Sequence, residues 1–301
     1  MPFRNLVIQN EASLSLKNKQ LRVRTETADA TIPIEDIDTI LVENRQTILS
    51  TALMGALAQS GVALFICDEY HMPCAVLEPF AQHSRGLEIA QNQLNLTQPA
   101  KKQMWKQVVT AKINNQAKCL LLCGMEDSAK ELSSIAKHVL SGDEGNAEGH
   151  AAAKYFPALF GDGFVRRDGD DARNSWLNYG YAIVRGCVAR SLTVYGFLPM
   201  FGLQHHSTLN QFNLADDFIE PYRQVVDLFT ATNATKDAHL TSAIKPQLVN
   251  LMNYDVLLDG KKYTLSYAIE RTVQSFSAIC AGRSKTLLLP ELLPLALHAY
   301  E

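Results

Sequence analysis

The sequence predicts an α+β protein in two parts: a small N-terminal β-rich domain over residues 1–77 and a larger, all-helical C-terminal domain over 91–301. Three observations carry this. Over the first forty positions apolar residues alternate with polar ones in short runs, as half-buried strands require. Beyond about residue 90 the apolar residues recur at helical spacing and keep doing so. Between the two, Pro79 and Gly86 bracket a polar segment that suits neither period, which places a linker at 78–90.

The N-terminal part opens with Leu14 and Leu16, the polar turn Lys17-Asn18-Lys19-Gln20, then Leu21 and Val23, a hairpin signature. Ile32-Pro33-Ile34 and Ile37 to Val42 continue the strands. Thr47 to Ser60 reads as a helix, with Gly61 at the position of a C-terminal cap. Val62 to Cys67 and Cys74 to Leu77 read as further strands. Nothing in this part resembles a catalytic constellation.

Past the linker, Lys101, Lys102, Lys106, Lys112 and Lys118 fall in a stretch without acids, interleaved with Trp105, Val108, Val109 and Ile113. That is an amphipathic basic helix, ordinarily a solvated face and here also a candidate for phosphate contacts. Glu148 to Phe156 predicts a helix with an acid near its start, followed by alanines that allow a neighbour close approach. Gly161 to Asp171 reads as a loop. Its Arg166 and Arg167, with Arg173 just beyond, suit phosphate oxygens, although the acids among them suit local ion pairs equally well. Ser175 to Tyr195 is a strong helix, ended by Gly196 and Pro199. After Asp227 helices alternate with polar turns, Gly260-Lys261-Lys262-Tyr263 separating two of them. The apolar tail from Pro290 to Glu301 is expected to pack on a partner or on the domain itself.

The chain has 301 residues, 47% of them hydrophobic, which is enough for two sizeable cores. It shows neither a secretion signal nor a run of 18 apolar residues, so a cytoplasmic protein without a membrane span is expected. The six cysteines are scattered and mostly embedded in apolar surroundings, which fits reduced core thiols better than a disulfide framework. Cys119 and Cys123 lack the second pair that a zinc site needs. The net charge is −3, and residues 1–80 hold six Lys/Arg against ten Asp/Glu, so any DNA-binding surface belongs to the later part.

Chemistry concentrates between Gly202 and Asp227. Asp217 and Glu220, three apart in an apolar pattern of Leu214, Phe218 and Ile219, fall on one helical face, and close anionic pairs need a cation. His205 or His206, in the loop before them, would complete a mixed oxygen and nitrogen site of the kind Mg²⁺ or Mn²⁺ accepts. Glu148 is a third candidate acid. An ordinary surface helix with two acids and exposed histidines has the same pattern.

Taken together, Glu148-Gly149-x-Ala151-Ala152-x-x-Tyr155-Phe156, the Gly202-Leu203-x-His205-His206 turn, and Asn213 to Arg223 (NLADDFIEPYR) resemble the large integrase of CRISPR adaptation in its type II form. That family comprises metal-dependent endonucleases that insert spacers into a repeat array. The resemblance implies that Glu148, His205 and Glu220 are catalytic metal ligands, with Asp217 an auxiliary acid and His206 on the DNA side. It further implies Mg²⁺ or Mn²⁺, double-stranded DNA as substrate, a homodimer formed through the N-terminal domain, and a heterohexamer with the small second adaptation protein. A lone structure-specific endonuclease of repair and a non-catalytic helical DNA scaffold are the alternatives.

Overall fold

The computed structural model of the chain describes residues 4–77, 85–166 and 171–299. The N-terminal region is built from β1 (Arg4–Ile8), β2 (Ser13–Lys17), β3 (Gln20–Arg24), β4 (Asp29–Pro33), β5 (Ile37–Val42), β6 (Ile48–Leu49), α1 (Thr51–Gln59), β7 (Ala63–Cys67) and β8 (Pro73–Leu77). The predicted β2–β3 hairpin is present. Lys17 pairs with Gln20, and Asn18 and Lys19 both carry positive φ, the turn that matches strand twist. The strands form two sheets, one ordered β4-β3-β2-β6, the other β1-β5-β7-β8 with parallel pairing except at β7–β8. The predicted helix starts four residues late, because Ile48 and Leu49 pair with β2 and the Ser50 hydroxyl caps the first turn.

Strands β5 and β7 read as continuous apolar runs because both faces are covered. Ile40, Val42 and Leu64 point into a core shared with α1, while Leu41, Ala63 and Phe65 point into the core of the helices beyond. The contact is close: a Cβ on Gly186 would meet the Phe65 ring at 2.0 Å. Two ion pairs, half-buried Arg190 with buried Asp38 and buried Lys245 with buried Glu43, cross the same junction.

The later region holds α2 (Gly86–Leu94), α3 (Gln98–Leu122), α4 (Glu126–Lys137), α5 (Ala147–Phe160), α6 (Arg173–Val194), α7 (Asn213–Ile219), α8 (Arg223–Asn233), α9 (Lys245–Asn250), β9 (Tyr254–Leu258), β10 (Lys261–Thr264), α10 (Leu265–Cys280) and β11 (Glu291–Leu297). The expected linker at 78–90 is already helical from Gly86, and residues 78–84 lie outside the described ones. The expectation of an all-helical C-terminal domain is corrected: helices dominate, but a three-stranded sheet ordered β10-β9-β11 closes the chain. Gly260 does not separate two helices. Asp259 and Gly260, both at positive φ, form the two-residue turn of the β9–β10 hairpin. The apolar tail supplies β11, which pairs with β9 and packs on α3. Among the described residues, no helix is long and apolar enough to cross a membrane.

One polar residue ties this region to the site. Buried Asn115 on α3 donates to the carbonyls of Pro221 and Pro290 at 2.7 and 2.9 Å and accepts from Leu292 N–H at 2.9 Å. It thereby fixes β11 and the turn after Glu220 on one helix.

Candidate active site cleft

Four elements converge on an open cleft of about 680 Å³. Helix α5 brings Glu148 in its first turn, where Asp143 accepts the backbone N–H of Ala147 and Glu148 at 2.8 and 3.1 Å and caps the helix. Helix α3 brings Lys112, helix α6 brings Arg185, and the joint between α7 and α8 brings Glu220 and Arg223. Pro221 interrupts that joint as a single 3-10 turn, Glu220 to Tyr222, so Asp217 and Glu220 are not on one regular helix. They point to different neighbours.

Lys112 is the contact between two of the predicted acids. Its Nζ lies 2.6 Å from Oε1 of Glu148 and 2.6 Å from Oε2 of Glu220, while Arg223 Nε donates to Glu220 Oε1 at 3.0 Å. Glu220 Oε2 is buried and faces the Lys112 ammonium, with no further donor among the described residues. Burial works against ionising Glu220, but Arg223 and Lys112 outweigh it and hold the carboxyl at about 2. Burial likewise disfavours the Lys112 charge, and Glu220 with Glu148 raises its ammonium above the ordinary lysine value.

Asp217 organises the histidine loop. With no exposed surface, it accepts the backbone N–H of Leu203, of Gln204 at 3.2 Å and of His205 at 3.1 Å, and meets His205 Nδ1 at 2.8 Å. The loop lies so close that a Cβ on Gly202 would come within 2.3 Å of the His205 carbonyl and 2.7 Å of the Asp217 carboxylate. The hydrogen bond to Asp217 raises His205, and its ring stands edge-on to Trp105 at 5.9 Å. With Nδ1 engaged, Nε2 is the nitrogen left for chemistry in the cleft that His205 lines.

The cleft therefore brings together Glu148, His205, Glu220 and Arg166 from the predicted set. His206 is exposed, with Nδ1 against the Gln204 carbonyl at 2.7 Å. Arg173 is held by Asp171 at 2.7 Å and by the Phe160 carbonyl, over the Phe160 ring, and does not line the cleft. Arg167 lies outside the described residues. Among the described residues no three His, Cys, Asp or Glu side chains form a ready metal cluster. The donor chemistry nonetheless fits a hard divalent ion. Two acids already grip one cation, the buried Glu220 oxygen has no partner besides that cation among the described residues, and a carboxylate-held imidazole borders the same space.

Sequence reading missed the roles of Lys112, Arg223 and Arg185. Lys112 looked like one of five surface lysines. Its spacing carries the signal: Trp105, Val109, Lys112 and Gln116 form the buried stripe of α3, and a lysine in such a stripe needs acids to meet it.

Beneath the cleft, buried Asp227 accepts from Tyr155 Oη at 2.9 Å and from Tyr181 Oη. Burial pushes this carboxyl up to about 6, the tyrosine and arginine neighbours opposing only in part. An acid raised from about 3.9 when unfolded destabilises the fold once ionised. Its favourable state is complete below about pH 4 and is lost as pH rises through about 6. Urea unfolding is accordingly expected to show about 3 kcal/mol less stability at pH 7 than at pH 4 from this group. Asp227→Asn should flatten that slope, and an unchanged slope would show that Asp227 binds protons alike in the folded and unfolded chain.

Two carboxylates on a shared cation, an oriented imidazole and a rim of arginines are what an enzyme acting on phosphodiesters uses. Sequence comparison makes this specific. The profile of the family described as CRISPR associated protein Cas1 matches residues 6–245, and the chain belongs to that family. It is 44% identical over 305 residues to the CRISPR-associated endonuclease Cas1 of Neisseria meningitidis serogroup C (strain 8013), covering all of both chains. Its fold is similar to a casposase bound to integration product (TM-score 0.76, 20% identity, 95% of this chain and 92% of that one). It also resembles a chain of a Cas6-RT-Cas1–Cas2 complex (TM-score 0.73, 18% identity), covering 96% of this chain and 36% of that one.

Proposed function

We propose that this protein is the integrase of CRISPR spacer acquisition, joining the 3′-hydroxyl ends of captured DNA fragments to a repeat by transesterification. In each joining event the fragment's 3′-oxygen forms a bond to a target phosphorus and the target strand's own 3′-oxygen leaves, so one phosphodiester replaces another. The observation that carries the reading is the grip of Glu148 and Glu220 on one cation beside His205, in a chain of the Cas1 family. Glu148, Glu220 and His205 Nε2 would hold Mg²⁺ or Mn²⁺, which neutralises phosphate charge and lowers the pKa of a bound hydroxyl.

The chain's own residues supply position and field. Asp217 fixes the His205 ring, Arg223 keeps Glu220 ionised, and Arg185 is aimed by Asp216 at 2.6 Å and by Asn210 at 3.0 Å. Arg166, held by Asn174 and Asn178 of α6, lies over the Tyr181 ring and lines the same cleft. The likeness to a casposase bound to integration product and to a chain of a Cas6-RT-Cas1–Cas2 complex supports DNA and a Cas2 protein as partners. Within that assembly we assign the N-terminal region to a homodimer interface, and two dimers to a heterohexamer around the Cas2 pair.

The test is joining of a duplex to supercoiled plasmid in Mg²⁺ or Mn²⁺. Fragments with 3′-hydroxyl ends should be joined and those with 3′-deoxy ends should not. Cleavage without joining from either fragment would favour the lone hydrolytic endonuclease instead, and no reaction in either metal would favour a scaffold.

A further inference from the structure

The reaction described above leaves Lys112 without a role, yet its position is costly. It is 9% exposed, on the inward stripe of a 25-residue helix, where a lysine is kept only if it is paired. Its nitrogen touches a carboxylate oxygen from α5 and another from the α7–α8 joint at the same 2.6 Å. Those two oxygens are therefore no farther apart than twice that distance, although they come from elements far apart in sequence. Without a cation between them, two ionised carboxylates that close would repel each other. A divalent ion bound at roughly 2.0–2.2 Å from each oxygen would need the place that the ammonium holds.

We propose that Lys112 is a displaceable internal counter-ion: it holds Glu148 and Glu220 together in the metal-free protein, and the incoming divalent ion displaces it into the cleft. The inference rests on the metal-site reading above and adds a positioning residue to it. Displacement is mechanically easy because the ammonium sits on a flexible four-carbon stem and already lines the cleft. Arg223 stays on the other oxygen of Glu220 at 3.0 Å, so the carboxylate keeps a partner during the exchange. The released ammonium then faces the space that a DNA phosphate would fill, which couples metal binding to DNA binding in both directions.

The experiment is Mn²⁺ titration of the DNA-free protein, reading free Mn²⁺ by electron paramagnetic resonance, for wild type, Lys112→Met and Glu220→Gln. Lys112→Met removes the competitor and is expected to bind Mn²⁺ about tenfold more tightly, while Glu220→Gln loses binding. In the wild type, Mn²⁺ is expected to raise acetylation of the Lys112 amine, read by mass spectrometry. That measurement stands even if Lys112→Met fails to fold. Binding by Lys112→Met that is equal to or weaker than wild type, with Glu220→Gln still defective, overturns the counter-ion role and leaves the site. Unchanged Lys112 acetylation on adding Mn²⁺ overturns it too. Equal Mn²⁺ binding by wild type and Glu220→Gln removes the site itself, and the proposal with it.

Discussion

Glu220→Gln is expected to reduce fragment joining about a thousand-fold while the protein still binds DNA. The magnitude follows from losing several kcal/mol of charge stabilisation at the phosphate, at about 1.4 kcal/mol per decade of rate. Glutamine has the same shape, so the effect is one of charge. Glu220 is 5% exposed, lies against Lys112 and Arg223, and is ionised at any pH above about 2. Neutralising it leaves buried Lys112 and half-buried Arg223 facing an amide, and breaking a buried pair in this way costs about 3–5 kcal/mol. Loss of joining must therefore be separated from loss of fold. The measurement is the joining rate together with circular dichroism melting and duplex binding, each with and without Mn²⁺. A folded Glu220→Gln protein that joins within tenfold of wild type would remove Glu220 from the chemistry. Glu148→Gln should give the same rate defect with less destabilisation, because Glu148 is more exposed and has Lys112 as its ion partner.

The contrast between these two acids explains what could be read from the chain and what could not. The strands were legible where one turn or one pattern decides the geometry: Asn18-Lys19 in a two-residue hairpin, and the doubly buried runs Ile37–Val42 and Ala63–Cys67. Helices α5 and α6 were legible from their length. The β9–β10 hairpin was misread although Asp259-Gly260 is a strong turn signal, because Leu257, Leu258 and Tyr263 also suit a helical stripe between the helices on either side. At the site, residue types suggested which side chains carry chemistry, but only tertiary packing decides their partners. Lys112 meets Glu148 across 36 positions and Asp227 meets Tyr155 across 72, and no periodicity reports such a contact. The arginines divide for the same reason. Arg173 is closed off by Asp171 two residues away, whereas Arg166 reaches past the loop to Asn178 on α6 and so reaches the cleft.

Asp217→Asn is expected to lower joining 10–100-fold, the range for losing the group that orients a ligating histidine, and to cost roughly 3 kcal/mol of stability. Asp217 does not line the cleft, so the effect travels through the loop that it holds. The native carboxylate receives donors only, three backbone N–H groups and the His205 ring. An asparagine keeps one oxygen for them and turns an NH₂ toward the rest. Buried without exposure, it has no water to turn to instead. The loop cannot settle closer to recover the contacts, because Gly202 already sits where a Cβ would not fit. His205 then loses the partner that fixes its ring and leaves Nε2 to the cleft. Glu148, Lys112 and Glu220 keep their contacts, so duplex binding should persist while the joining rate falls. Asp216→Asn is the matched control: it loosens Arg185 and leaves His205 in place, so its effect should be smaller and should appear in DNA affinity. Wild-type joining and melting by Asp217→Asn would mean that the loop is held by something other than this carboxylate, and that His205 needs no fixed orientation to act.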